Sequence, residues 1–238
     1  MPLPKVNTPT YELVLPSNNK KIRYRPFLVR EEKILIMALE SEDMKQITNT
    51  VIEILNACIL TKGVKVSTLS TFDIEYLFLN VRAKSVGESI EVNVTCPDDN
   101  KTSVQVSVDL DAIKVKKNRK HTNIIKLDDT LSLKMKYPSM DQFIESNFES
   151  SDDTIKNTMK VITSSIDMIF SEEESWNASE STPKELEEFI EQLNSKQFQT
   201  IEKFFDTMPK LSHRVKVTNP KTNVESTVIL EGLAAFFN

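Results

Sequence analysis

The sequence predicts an α+β fold arranged as two tandem, divergent units. Each unit comprises a β-hairpin, a helical segment and a zinc-ribbon-like β-hairpin without complete metal ligands. Three observations lead there. Stretches in which apolar residues recur every three or four positions alternate with stretches of period two along the 238 residues. The succession hairpin, helices, capped helix, ribbon runs once before position 113 and again after 122. Residues 70–110 also have a degraded counterpart in residues 195–237: aligning Cys96 with Asn219 places Val92 on Val215, Val94 on Val217, Pro97 on Pro220 and Asn100 on Asn223. The resulting division is an extended N-terminal arm over 1–10, a first α+β unit over 11–113, a basic linker over 114–121 (KVKKNRKH) and a second α+β unit over 122–238.

Pro2, Pro4 and Pro9 keep the arm extended, because a proline pushes the residue before it out of the helical region. Tyr11–Leu15 and Lys21–Arg25 read as strands joined by the turn-forming Pro16-Ser-Asn-Asn19, and Pro26 ends that hairpin. Ile34, Leu35, Met37, Ala38 and Leu39 predict a helix over 30–40. Met44, Ile47, Val51, Ile54 and Cys58, spaced by three and four, predict a second, with Gly63 beyond its end. Ser70 and Asp73 match a capping box at the start of a third helix. Phe72, Ile74, Tyr76, Leu77, Phe78 and Val81 make that helix apolar on more than one side, so it is predicted to be central. After Gly87 the period becomes two: Ile90, Val92 and Val94 share one face, as do Val104, Val106 and Val108, with Pro97-Asp-Asp-Asn100 as the turn.

The second half opens with another predicted hairpin, Ile124–Leu127 and Leu131–Met135 around Asp128-Asp129. A short segment over 140–148 leads to a predicted helix from about 153 to 170, in which Ile155, Met159, Ile162, Ile166 and Ile169 step by three and four. Residues 171–181, acidic around the lone Trp176, read as a mobile loop. Thr182-Pro183-Lys184-Glu185 is a strong helix start, with threonine at the cap, proline at the first position and glutamate at the third. Ser195 begins a further helix that Pro209 stops, and a terminal ribbon spans 214–230.

Composition narrows the function classes. A net charge of −5 argues against a general nucleic-acid binder. No apolar run approaches the roughly 20 residues of a bilayer span, so no membrane partner is expected. The Met-Pro-Leu-Pro-Lys start lacks the apolar stretch of a secretory signal. Two cysteines in unlike contexts, Cys58 and Cys96, fit a reducing compartment. Three glycines, far apart, exclude a glycine-rich phosphate loop, and no small-molecule ligand or cofactor is expected.

Metal binding is the sharpest chemical idea. A Cys-Pro-x-Cys turn between short strands is a zinc knuckle, and two such knuckles supply a tetrahedral four-sulfur site. Here the two turns are Cys96-Pro97-Asp98-Asp99 and Asn219-Pro220-Lys221-Thr222, so one sulfur of four is present, and no metal site is expected. Catalysis has no candidate set: Cys58 sits on an apolar helix stripe, and neither His121 nor His213 has a nucleophile or an orienting carboxylate nearby in sequence. Pairing of a cysteine with a distant histidine is the one enzymatic arrangement left open. The basic run 114–121 lacks interleaved aromatics and reads as a solvated linker.

Two junctions concentrate cations, aromatics and carboxylates. One runs from the first hairpin into the first helix and holds Tyr24, Arg25, Pro26, Phe27, Arg30 and Glu31; the other, between helix and ribbon, holds Arg82, Lys84 and Glu88. Arginine and aromatic residues anchor interfaces because they combine area with directional hydrogen bonding, which makes these nine residues candidates for partner binding. Intramolecular ion pairs that fix the junctions are the competing reading.

The same segments carry a family resemblance. Residues 24–38 (YRPFLVREEKILIMA), 72–79 (FDIEYLFL), 82–88 (RAKSVGE), 204–211 (FFDTMPKL) and 230–233 (LEGL) resemble the baseplate hub subunit, or hub assembly protein, of T-even-like contractile-tailed phages. Relatives in that family often carry Cys-Pro-x-Cys at both turns, a pattern from which Asp99, Asn219 and Thr222 depart here. The resemblance implies a non-enzymatic protein that takes part in building the central hub, as a hub component or an assembly chaperone. Its implied partners are other baseplate or hub proteins. Its implied place is the host cytoplasm during assembly, and the virion tail baseplate if it is retained. A zinc-ribbon-derived nucleic-acid or protein adaptor is the alternative.

Overall fold

The computed structural model describes residues 6–145, 154–232 and 235. The first hairpin forms as the sequence predicts, β1 (Tyr11–Val14) antiparallel to β2 (Lys21–Tyr24), with Tyr11 opposite Tyr24. Its turn closes through Asn19 at φ 59°, a left-handed conformation that asparagine tolerates. Helices α1 (Val29–Glu40) and α2 (Met44–Cys58) follow, and the Asp43 carboxylate caps α2 by accepting from the Lys45 and Gln46 N–H groups. Helix α3 (Thr71–Ser85) buries Phe72, Ile74, Leu77, Phe78, Leu79 and Val81, as a central helix must. Its expected capping box does not form. Ser70 Oγ is buried without a hydrogen bond, while Asp73 Oδ1 accepts from Ser17 N–H at 3.0 Å and so ties the helix to the first hairpin's turn.

A ribbon and a short strand complete this part of the chain. Strands β3 (Ser89–Thr95) and β4 (Ser103–Asp109) pair Val92 with Val106 and Val94 with Val104. Residues 114–116, expected in a linker, instead form strand β5 (Lys114–Lys116).

The chain then continues through β6 (Ile124–Lys126) and β7 (Ser132–Met135), the expected second hairpin, and into α4 (Met140–Ile144). The rest of the short segment expected up to 148 lies outside the described residues. The long helix expected to reach 170 is corrected: α5 (Thr154–Ser164) stops, and β8 (Ile166–Phe170) begins. Thr163, Ser164 and Ser165 turn their hydroxyls onto the carbonyls of Met159, Val161 and Val161 in turn, an alternative bonding pattern that weakens a helix end. The Ile166-Asp-Met-Ile-Phe170 run that follows fits a strand as well as a helix, and pairing with β7 decides it. The expected mobile loop over 171–181 is also corrected, since β9 (Ser175–Asn177) pairs with β8 and sets Trp176 opposite Ile169. Helix α6 (Pro183–Glu191) has the expected Thr182–Glu185 capping box, and α7 (Ser195–Thr207) is capped by Asn194. Finally β10 (Lys210–Thr218) and β11 (Glu225–Glu231) form the terminal ribbon, Val215 opposite Val228.

All strand pairings are antiparallel and the class is α+β, but the units are not consecutive. One consists of the chain up to Val66, Phe72–Lys116 and the chain from Lys210; the other consists of Ser67–Thr71 and Lys117–Pro209. The expected boundaries at 114–121 and 122–238 are therefore corrected. The physical reason is a sheet: β10 takes β11 on one edge and β5 on the other, with Leu211 opposite Val115, so the terminal ribbon belongs with the first segment. Val92, Val94, Val215 and Val217 are all buried, and Asn100 (φ 52°) and Asn223 (φ 58°) both take the left-handed conformation in their turns.

The second unit has one core. Ile125, Leu133 and Ile166 from the four-stranded sheet β6-β7-β8-β9 meet Ile162, Ile201 and Phe204 from the helices. His121 closes one edge of it, its ring 5.6 Å from that of Tyr137 and 5.1 Å from that of Phe204. The Thr207 hydroxyl donates to Lys203 O at 2.6 Å, so its lone pair accepts from His121 Nδ1–H at 3.0 Å, and Nε2 accepts from the Tyr137 hydroxyl at 3.0 Å. Burial lowers the His121 pKa below the usual histidine value, favouring this neutral form. Because the folded value is depressed, the stabilisation is present above the unfolded pKa and is lost as pH falls through the folded one. Urea midpoints measured from pH 7.5 down to 5.5 are expected to fall for the wild type and to fall less for His121→Gln; parallel slopes would contradict this role.

Candidate protein-binding surfaces

The first junction turns inward. Tyr24, Pro26, Phe27 and Glu31 are buried, and only 13% of the Arg25 side chain is exposed. Glu31 is the centre. Its carboxylate accepts from Arg25 Nη2 at 3.0 Å, from Arg30 Nε at 2.8 Å and from Leu28 N–H at 2.6 Å, the last closing the N-terminus of α1. Arg25 also donates to Pro26 O, and the Phe27 N–H donates to Ser85 Oγ at 2.9 Å. Burial pushes the Glu31 carboxyl up, but the hydrogen bonds from Arg25, Leu28 N–H and Arg30 together outweigh it and hold the group at about 2. At the second junction Lys84 pairs with Glu88 at 2.6 Å and lies 3.5 Å from Asp111, while burial lowers the pKa of the half-buried Arg82. Of the nine residues proposed from the sequence, Arg30 and Glu88 are exposed, Arg25, Arg82 and Lys84 are partly so, and Tyr24, Pro26, Phe27 and Glu31 are buried.

The two ribbon turns meet each other. Asn219 Nδ2 donates to both oxygens of Asp98, at 3.1 and 2.9 Å, and the Thr222 hydroxyl donates to Asp98 Oδ2. Asp99 folds back on its own turn, accepting from Lys101 N–H, Thr102 N–H and the Thr102 hydroxyl. These residues do not fit a zinc ion. Cys96 is the one thiol, burial raises its pKa, Asn219 presents N–H donors, and its Oδ1 already accepts from Lys221 N–H at 2.9 Å. Among the described residues no group of three or more histidine, cysteine, aspartate or glutamate side chains is placed to hold a metal. The other cysteine, Cys58, is buried at 3.7 Å from Arg25 Nη1, and burial takes its thiol to about 11, so it is protonated at neutral pH.

Sequence reasoning passed over two surfaces. Helix α1 has Glu31, Leu35 and Ala38 on its buried side, yet Val29, Ile36 and Met37 are 65%, 49% and 68% exposed on the other. The signal was available: apolar residues occupy more of the helix circumference than one core contact can cover. In the second unit Met159, Ile190, Leu193 and Phe198 line a groove of about 370 Å³ whose border carries the exposed Glu191 and Glu202. That groove needs α5, α6 and α7 together, and no single stretch of sequence announces it.

The family model described as T4 bacteriophage base plate protein matches residues 8–238. The chain belongs to that family. No curated protein and no solved structure matches it. A T4-like phage baseplate protein has a structural role in the tail baseplate of the virion and interacts with other baseplate proteins. Among the described residues no helix is long and apolar enough to cross a membrane.

Two outcomes check the assignments made to these residues. Glu31→Gln leaves Arg25 without its buried partner and is expected to cost about 3 kcal/mol in urea unfolding. As the Glu31 value is depressed from 4.5 to about 2, its stabilising share should be present above 4.5 and vanish as pH falls towards 2 in the wild type alone. Asn219→Ala is expected to cost about 2 kcal/mol by removing a buried, doubly bonded amide, and added zinc should not restore the loss.

Proposed function

We propose that this baseplate protein takes part in assembling the central hub of the tail baseplate, without enzymatic activity, by binding other hub or baseplate proteins. Whether as a resident component or as an assembly chaperone, the physical task is the same: to present pre-formed surfaces to neighbouring chains. The observation that carries this reading is the groove of the second unit, in which Met159, Ile190, Leu193 and Phe198 alternate with Glu191, Ser195, Gln199 and Glu202. Exposed apolar concavities of this kind hold an anchoring side chain of a partner, while the charged border selects which partner enters. Glu191 and Glu202 favour a segment with basic residues flanking its apolar anchor. The exposed junction residues Arg30 and Glu88, with Lys84, are further candidate contacts. The resemblance of residues 24–38, 72–79 and 82–88 to hub assembly proteins supports the choice of hub over the rest of the baseplate.

Co-expression with each hub protein of the same phage, followed by affinity purification, tests this. Wild-type protein is expected to retain at least one hub protein, and the double variant Glu191→Lys, Glu202→Lys to lose it while its thermal unfolding is unchanged. Retention by the double variant would remove the groove, and absence of any hub partner for the wild type would remove the function.

A further inference from the structure

We propose that the outward face of α1 is the interface of an antiparallel, two-fold symmetric dimer of this chain. On α1 the exposed positions 29, 33, 36, 37 and 40 form one stripe, since they recur by three and four, and the exposed Arg30 and Ile34 flank it on one side. Three of them are the exposed Val29, Ile36 and Met37; the other two are the exposed Lys33 and Glu40.

Four of the five positions are related through the midpoint between residues 36 and 37, whereas Val29 has no counterpart within α1. A two-fold axis through that point sets Ile36 against Met37 of the partner subunit and Lys33 against Glu40 of the partner subunit, each pairing occurring twice. The charge order is what makes the helix complementary to itself only when antiparallel: its cation lies in the first half of the stripe and its anion at the end. Antiparallel packing also sets opposite ends of the two helix dipoles side by side.

The polarity of α1 supports the assignment. An ordinary surface helix turns apolar residues inward and charge outward, whereas α1 buries the Glu31 carboxylate and displays Val29, Ile36 and Met37. The Glu31 contacts with Arg25 and Leu28 N–H hold α1 in the rotation that keeps the stripe outside. Twelve residues rising about 1.5 Å each make a helix of about 18 Å, so an interface limited to α1 falls below the roughly 1,200 Å² of stable complexes. The dimer is therefore weak and depends on protein concentration. That property suits a protein that must be incorporated into a larger assembly.

Sedimentation equilibrium of the full chain over a concentration series tests this. The wild type is expected to show a monomer–dimer equilibrium, weakened at least about tenfold by Lys33→Glu or Glu40→Lys, each of which sets like charges together twice. An equimolar mixture of those two variants restores opposite charges at both contacts and should dimerise like the wild type. Met37→Asp should abolish association with its circular dichroism melt unchanged. A wild type that stays monomeric at all concentrations overturns the proposal, as does a dimer indifferent to Met37→Asp, or a mixture no tighter than the single variants. The groove variants that test hub binding leave α1 untouched, so the two proposals fail separately.

Discussion

The first unit depends on the return of strands β10 and β11 to the segment that ends at Lys116. Strand β10 pairs with β5 by Leu211 opposite Val115, and at the far end the Asp98 carboxylate receives Asn219 and Thr222 across 121 and 124 positions of sequence. Backbone pairing sets the strand's direction and register, and the side-chain contact between turns holds the two ribbon ends together. Such long closures cost chain entropy, which the burial of Val92, Val94, Val215 and Val217 offsets. The intervening residues 117–209 are thereby freed to form a unit with its own core.

The contact between turns shows how one local shape can be held by different chemistry. Where two zinc knuckles would share an ion, here an aspartate accepts three hydrogen bonds from the opposite turn, and left-handed asparagines at 100 and 223 preserve the bend. A metal-held pair would depend on ligand deprotonation; this pair depends only on Asp98 being ionised, and the hydrogen bonds from Thr222 and Asn219 depress its pKa.

Charge placed inside and apolar residues placed outside give α1 its meaning. Glu31 lowers the cost of its own burial by accepting two arginine donors and a helix-terminal N–H, and it thereby organises the hairpin-to-helix junction. Residues that looked like interface anchors, Tyr24, Arg25 and Phe27, are consumed in that work. The reverse of α1 instead exposes Val29, Ile36 and Met37.

Local order was legible in the sequence wherever spacing, capping and turn chemistry agreed. Both hairpins, the stripe of α2, the Thr182–Glu185 cap and the two ribbons needed only neighbours within a few positions, and family membership was legible in the long motifs that begin at Tyr24. What failed did so for want of distant partners. Ile166–Phe170 fits helical spacing and becomes a strand because β7 offers an edge; Lys114–Lys116 looks like a solvated linker and becomes a strand because β10 does. Whether Arg25 faces a neighbour or Glu31, and whether Met37 faces a core or solvent, is decided by the rotation of a helix. Only tertiary packing sets that rotation, because both sides of α1 are apolar enough to be buried.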